Sequence, residues 1–382
     1  MSKRRGFLPI AALATLFLVC FLWPLAAEEP GKTVRLERLS ILPSHISLNH
    51  PHATQKLVVE AYFADGTQED WTEKARFAST APAIAAVDEA GIVRAVSDGE
   101  ATLTADVAGR KATASAEVRN IQAPFTWSFK NHVIPVMTKA GCNSGPCHGA
   151  AAGKNGFKLT LRGYDPATDY EVLTRQALGR RVVKMEPARS LILLKPTLTI
   201  AHGGGRRFGV KSPSYRIISD WIAAGTPPPS PDVPRIESLE VLPAQASVRP
   251  GAEQQLVVLA HFSDGHVEDV TAWARYDSTE VGVASVDRTG RVKMQGYGEA
   301  AVTVGYMSLV SIARLTVPFP HQIEERVFRE APRNNTIDEL VLRKLQGLRI
   351  PPSGLASDSE FIRRIYLDAA GILPTAAEVE AF

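Results

Sequence analysis

The sequence contains little cysteine, almost no net charge and no long apolar run after residue 27. Three cysteines in 382 residues are too few for a disulfide scaffold. A formal charge of +3, without a recognisable nucleic-acid-reading motif, argues against nucleic-acid binding. With 45 % hydrophobic and 22 % charged residues, the chain is neither wholly disordered nor a polytopic membrane protein. Its length predicts about two or three globular domains, or more if they are small.

The N-terminus has the pattern of an export signal. Basic residues at positions 3–5 precede the uncharged stretch 6–27, and no acidic residue comes before that stretch ends. This order is typical of a signal peptide. The stretch is also long enough to span a bilayer. Residues 1–27 are therefore expected to be a cleaved signal peptide or an N-terminal membrane anchor, which places the rest of the chain in the periplasm or at the cell surface.

A long internal repeat frames the middle of the chain. Residues 36–118 match residues 236–317 along their lengths. In each copy a run of alternating apolar residues precedes an Asp-Gly pair, at 65–66 and at 264–265. Alternation predicts a strand with one buried face, and Asp-Gly supplies the positive dihedral angles of a tight hairpin turn. Each copy is therefore predicted to be a small antiparallel β-sandwich.

The two copies resemble bacterial immunoglobulin-like (Ig-like) domains of group 2. The resemblance implies one domain at 34–119 and a second at 234–318. Neither copy contains a cysteine, so packing alone must hold the sheets together. The resemblance also implies a role as spacers or adhesive modules.

Between the copies lies the motif Cys142-x4-Cys147-His148. In c-type cytochromes two thiols attach the haem covalently and the adjacent histidine binds its iron. The usual spacing has two residues between the cysteines, whereas this motif has four. A Cys142–Cys147 disulfide is the main alternative, because exported proteins lie in an oxidising compartment. Zinc is less favoured, since no second close pair of ligands accompanies the motif.

The residues after the motif predict two local elements. Phe157, Leu159 and Leu161 alternate with polar residues, which predicts a short strand. Further on, Ser212-Pro213 provides a helix cap and first turn, and apolar residues follow within 217–222. Such a helix could close over a haem edge or be an ordinary core helix.

The middle segment carries a second resemblance to a known family. Its motifs are residues 142–148, 153–159, 161–166, 190–191, 195–196, 202–205 and 221–225. They are similar to planctomycete-type exported surface proteins with a cytochrome c-like segment. The resemblance implies a cytochrome c-like domain at 125–229 that binds haem c through Cys142, Cys147 and the proximal ligand His148. It also implies a C-terminal helical domain of unknown function, whose start is similar to residues 361–368 and 371–375.

The motif leaves the second axial position of the iron open. In the common cytochrome order the distal ligand follows the proximal one and precedes the closing helix, which favours His202, with Met185 as the alternative. His202 stands before three glycines, which would let the backbone approach a porphyrin. Two histidine ligands would lower the reduction potential relative to histidine and methionine.

The C-terminal part, 321–382, carries three helix-start signals. Thr336 and Glu339, Ser357 and Glu360, and Thr375 and Glu378 each have capping-box spacing. The third helix has barely begun when the chain stops. The chain is therefore expected to be an N-terminal fragment with an incomplete helical domain.

Together these observations predict a multidomain, mainly β protein: two Ig-like sandwiches flank an α-rich cytochrome c-like domain, followed by the incomplete helical domain. The expected function is exported, haem c-binding electron transfer. No catalytic constellation stands out, so a redox carrier is favoured over a catalyst. Residues 125–229 hold fifteen Lys or Arg against five Asp or Glu, which favours an acidic redox partner or an anionic surface polymer. The alternative is a non-enzymatic adhesion or scaffold protein with a Cys142–Cys147 disulfide and a basic, polymer-binding middle domain.

Overall fold

A computed structural model describes residues 34–382, and from Leu36 onward these form one unit. Strands hold 30 % and helices 24 % of the described residues, which confirms a mainly β chain. The signal peptide or anchor predicted for residues 1–27 lies outside the described residues. Among residues 34–382, no helix has the length and apolar character needed to cross a membrane.

The first repeat folds into three small sheets, in which all strand pairs but one are antiparallel. Its strands are β1 (Leu36–Leu42), β2 (His45–Leu48), β3 (Thr54–Lys56), β4 (Val58–Phe63), β5 (Gln68–Asp70), β6 (Arg76–Ser79), β7 (Ala85–Val87), β8 (Ile92–Ala95), β9 (Gly99–Val107) and β10 (Arg110–Val118). The sheet orders are β1-β4-β5, β2-β10-β9-β6 and β3-β8-β7, with β2 parallel to β10. Gly66 joins β4 to β5 at a φ of +79°, which confirms the predicted Asp-Gly turn.

The second repeat has the same topology. Its strands are β11 (Ile236–Leu242), β12 (Gln245–Ser247), β13 (Glu253–Gln255), β14 (Val257–Phe262), β15 (Val267–Asp269), β16 (Arg275–Ser278), β17 (Ala284–Val286), β18 (Arg291–Met294), β19 (Gly298–Tyr306) and β20 (Leu309–Val317). The orders β11-β14-β15, β12-β20-β19-β16 and β13-β18-β17 reproduce those of the first repeat.

Each sandwich buries an apolar core of its own, because alternate residues of every long strand face inward. In β9, Leu103 and Ala105 are fully buried whereas Thr104 between them is not. In β19, Val302 and Val304 occupy the corresponding core of the second repeat. The alternation of apolar and polar residues thus specifies the core of both sandwiches.

The middle segment is built from short helices and long loops. A π-helical turn (Phe129–Val133) leads into α1 (Ile134–Lys139), followed by α2 (Pro166–Thr174), α3 (Leu191–Leu194) and α4 (Pro213–Ala223). The α4 helix begins as predicted, because the Ser212 hydroxyl accepts a hydrogen bond from the Tyr215 N–H at 3.2 Å. Its Trp221 is fully buried and packs on Phe129, with the ring centroids 5.2 Å apart.

The strand predicted around Phe157, Leu159 and Leu161 is wrong. Leu159 is buried, but Leu161 is 54 % exposed and begins a tight turn in which Arg162 has a φ of +58°. The Leu159 N–H donates to the His148 carbonyl at 2.8 Å instead of to a neighbouring strand. The backbone of this stretch therefore forms hydrogen bonds with the Cys-His loop instead of with a strand.

Four helices follow the second repeat: α5 (Glu325–Arg329), α6 (Thr336–Leu348), α7 (Asp358–Ala370) and α8 (Ala376–Ala381). The capping boxes that begin at Ser357 and Thr375 are confirmed. The first lies one residue earlier than predicted, because Asn335 caps α6 and the Asp338 carboxylate accepts its N–H at 3.2 Å. Asparagine is the stronger cap, so it displaces Thr336 from that position.

The two repeats pack on each other through equivalent surfaces. Val58 of β4 and Val257 of β14 belong to a fully buried apolar cluster that is separate from both sandwich cores. Beside it, Asp269 accepts a hydrogen bond from the Lys56 N–H at 2.6 Å, and Asp70 accepts one from the Gln255 N–H at 2.9 Å. Asp70 and Asp269 are repeat equivalents, so the contact is reciprocal, as in a two-fold symmetric dimer.

The second repeat also holds the start of the middle segment. His132 lies 3.2 Å from both carboxylate oxygens of Glu268, and its Nδ1 accepts the Ser128 N–H, so its own proton points to Glu268. Burial raises the pKa of Glu268, but His132 and His266 outweigh burial and hold that pKa well below the ordinary value of 4.5. The carboxylate therefore stays charged between the two domains.

We expect Val58→Asp to separate the two repeats without unfolding either, because an aspartate there would bury an unpaired charge at a cost of several kcal/mol. Small-angle scattering should show a larger radius of gyration with an unchanged circular dichroism spectrum. The matched control is Val310→Asp, at a position that is 69 % exposed on β20. An unchanged scattering profile for the Val58 variant would contradict the interface.

Candidate functional site

The predicted Cys-His motif forms a compact loop directly after α1. The Cys142 N–H donates to the Met137 carbonyl and the His148 N–H donates to the Cys142 carbonyl, both at 2.9 Å. The two additional residues between the cysteines are therefore accommodated in a closed turn. Cys142 is 8 % exposed, Cys147 is partly exposed, and both are free thiols in the structure.

The orientation of His148 is set by one hydrogen bond. Its Nδ1 lies 3.0 Å from the carbonyl oxygen of Phe157. A carbonyl can only accept, so Nδ1 carries the proton and Nε2 keeps a free lone pair. Burial lowers the pKa of His148, and the neighbouring side chains of His202, Arg181 and Lys195 lower it further, against the opposing effect of the Phe157 carbonyl. The ring is therefore neutral, as a metal ligand must be.

His202 faces the same site from the loop before α4. Its Nδ1 lies 2.9 Å from the Gly205 carbonyl, which can only accept, so Nδ1 carries a proton and Nε2 is the ring nitrogen left to bind a metal. The centroids of the His148 and His202 rings are 6.5 Å apart, and the ring planes differ by 8°. The structure thus brings together the two histidines that the sequence analysis named as proximal and distal ligands.

Gly204 lies directly against the His202 ring and the Arg207 guanidinium. A Cβ added to Gly204 would lie 2.9 Å from the His202 Cε1 and 3.2 Å from its Nε2, inside normal contact distance. No atom lies within 4 Å of a Cβ added to Gly203. Of the three consecutive glycines, the middle one is therefore required by the histidine ring.

The donor set fits a haem iron. In metalloproteins a ligating histidine commonly donates its second ring N–H to a carbonyl or carboxylate, and both rings do so here. Within residues 34–382, no three His, Cys, Asp or Glu side chains are grouped so that they alone could hold a metal ion. A haem iron needs only two protein ligands, and two cysteines accompany this pair.

Burial raises the pKa of Cys142 to about 12, so this thiol is protonated at neutral pH. The Arg207 guanidinium donates a hydrogen bond to the Cys147 sulfur at 3.3 Å. Met185, the alternative distal ligand, is 96 % exposed. Its role as a ligand stays a prediction.

Sequence reasoning missed three contributors to this site. Arg207 contacts Cys147, and Arg181 packs on Phe157, whose carbonyl holds His148. The basic character of the segment was evident, but not which arginines would be buried. A backbone carbonyl leaves no signature in a sequence.

Two parts of the chain match known families. Residues 38–118 match the bacterial Ig-like domain (group 2) family. Residues 336–382 match PSCyt2, a protein family of unknown function (DUF1549). The first match confirms the Ig-like identity of the first repeat, and such domains are typical of extracellular proteins. The second confirms that a domain of unknown function begins near the C-terminus.

The chain also resembles individual proteins at low identity. It is 21 % identical over 266 residues to Ice-binding protein 1 from Shewanella frigidimarina (strain NCIMB 400), a match that covers 69 % of this chain and 27 % of that protein. The chain therefore spans about a quarter of that relative's length. Among solved structures, surface layer protein SbsC domains 1–6 matches with 10 % identity and a TM-score of 0.20, over 78 % of this chain and 31 % of that one. Invasin, a bacterial integrin-binding protein, matches with 12 % identity and a TM-score of 0.16, over 74 % and 59 % of the chains.

We expect Gly204→Ala to displace the His202 ring, because the added methyl group would overlap it. In the haem-free full-length protein, the ring-proton resonances of His202 should shift and its contacts with His148 should weaken. Gly203→Ala, which adds the same methyl group to open space, should leave both unchanged. Equal spectra for the two variants would contradict the placement of His202.

Proposed function

We propose that this chain is an exported surface protein whose middle segment, 125–229, binds one haem c and transfers electrons. The observation that supports this most is the pair of parallel imidazoles, His148 and His202, each with Nδ1 bonded to a carbonyl.

In this proposal His148 and His202 bind the iron through Nε2, and Cys142 and Cys147 provide the two thiols for covalent attachment. A bound haem c supplies one reversible one-electron step. The Phe157 and Gly205 carbonyls keep both imidazoles in the ligating tautomer. Ligation by two histidines favours a lower reduction potential than ligation by histidine and methionine.

The surroundings suit an electron carrier. Trp221 and Leu159 are buried in the same apolar cluster as Cys142, so the segment has an apolar core behind the site. The excess of Lys and Arg in residues 125–229 would attract an acidic partner and speed its approach at low salt. We therefore propose an acidic redox protein as partner, with an anionic surface polymer as the alternative.

A second candidate function is surface adhesion or scaffolding without haem. It is favoured by the Ig-like family match and by the distant likeness to a protein named for ice binding. In this reading the two sandwiches are the working part, the basic segment binds an acidic polymer, and Cys142 and Cys147 become a disulfide after export. The two candidates differ in the chemistry of the thiols.

We expect the full-length protein, exported from a host with cytochrome c maturation, to keep haem through denaturing electrophoresis, because thioether bonds are covalent. Changing both Cys142 and Cys147 to alanine should abolish the haem stain. Ser144→Ala, in the same loop, should retain it. A colourless wild-type protein with an intact Cys142–Cys147 bond in the mass spectrum would instead support the scaffold.

A further inference from the structure

Arg181 is a buried arginine held by carbonyl groups. Its side chain donates to the carbonyls of Val172 at 2.8 Å, Gln176 at 3.0 Å and Gly156 at 3.0 Å. The residue is only 8 % exposed. A buried cation is costly unless its hydrogen bonds are satisfied, and here neutral carbonyls satisfy them. These bonds join the end of α2 to the loop that carries Phe157.

The Arg181 guanidinium is linked to the proposed haem site by the Phe157 ring. Its carbon lies 4.5 Å above the centroid of the Phe157 ring. The Phe157 ring in turn lies 4.4 Å from the imidazole of His148. The carbonyl of the same residue accepts the proton on Nδ1 of His148. Arg181, Phe157 and His148 therefore form a continuous series of contacts, in which the planes of the Phe157 and His148 rings are tilted by 47°.

We propose that Arg181 is a positioning residue for His148. By holding the Gly156 carbonyl and the Phe157 ring, it fixes the Phe157 carbonyl, and that carbonyl fixes the direction and the tautomer of the imidazole. The purpose of holding His148 would be to bind the haem iron, and in this respect the inference rests on the proposed function. The positioning itself is a property of the protein alone.

The geometry requires arginine in particular. Nη1 reaches two carbonyls and Nη2 reaches a third, while the flat guanidinium lies against the Phe157 ring. The ammonium group of lysine is a compact charge without this planar fork. Arg181→Lys would therefore keep the charge and lose the arrangement.

The first test uses the full-length protein made without haem and labelled with ¹⁵N in its histidines. In the wild-type protein the His148 signal should report a single neutral tautomer with the proton on Nδ1. Arg181→Gln and Arg181→Lys should both give a mixture of tautomers. The control is Arg180→Gln, which removes the same charge from an exposed neighbouring position and should leave the tautomer unchanged.

The second test uses the haem-loaded protein in its reduced form. Outer contacts of a metal ligand are commonly worth about tenfold to a hundredfold in affinity. We expect Arg181→Gln to raise the affinity for carbon monoxide by about tenfold or more, because a loosened His148 competes less well for iron. Arg180→Gln should bind carbon monoxide as the wild type does.

Two results would overturn the proposal: an unchanged His148 tautomer in Arg181→Gln, or full rescue by Arg181→Lys, which would show that charge alone matters. If Arg181→Gln fails to fold, Phe157→Leu tests the proposal instead, because it removes the ring between Arg181 and His148 and leaves Arg181 in place. This variant should also give mixed tautomers of His148. A single tautomer with the proton on Nδ1 would then overturn the role of Arg181 and Phe157 in positioning His148. A wild-type protein without haem would reject the proposed function, whereas the tautomer measurement would still decide the role of Arg181.

Discussion

The hydrogen bond from His148 Nδ1 to the Phe157 carbonyl is the contact on which the candidate site depends. It lies at 3.0 Å, carries the imidazole proton away from the site and leaves Nε2 as an acceptor. The Cys-His loop and the following turn are folded around it, since the Leu159 N–H donates back to the His148 carbonyl. His202 meets the same requirement through Gly205. In both loops the carbonyl contact occupies Nδ1 and leaves Nε2 as the nitrogen that could bind, as ligation of one metal ion would require.

The second β-sandwich repeat contributes to this site by holding the helix that leads into it. Glu268 binds His132, the Tyr306 hydroxyl donates to the Asn131 carbonyl at 2.7 Å, and Arg288 donates to the Lys139 carbonyl at 2.7 Å. All three contacts come from the second repeat and reach the π-helical turn and α1. Because the two repeats also pack reciprocally on each other, the middle segment lies against a paired scaffold. The repeats are therefore more than a flexible tether.

Sequence patterns predicted the parts of the fold that depend on local chemistry. Alternating apolar residues, the Asp-Gly turns and the Ser212 cap each have a local physical cause, and each is found in the structure. The strand expected at Phe157 failed because alternation does not reveal where backbone hydrogen bonds go. His202 could be named from its order in the chain, but its carbonyl partner and the burial of Arg181 depend on contacts between distant segments.

We propose that His148 and His202 bind one iron with nearly parallel rings. The most direct measurement is an electron paramagnetic resonance spectrum of the oxidised full-length protein, exported from a host with cytochrome c maturation. Ring planes that differ by 8° predict a rhombic low-spin signal of two neutral imidazoles. The spectrum of the His202→Ala variant, recorded in the same way, should lack that signal. A high-spin wild-type signal, or an unchanged low-spin signal in His202→Ala, would contradict ligation of the iron by both His148 and His202.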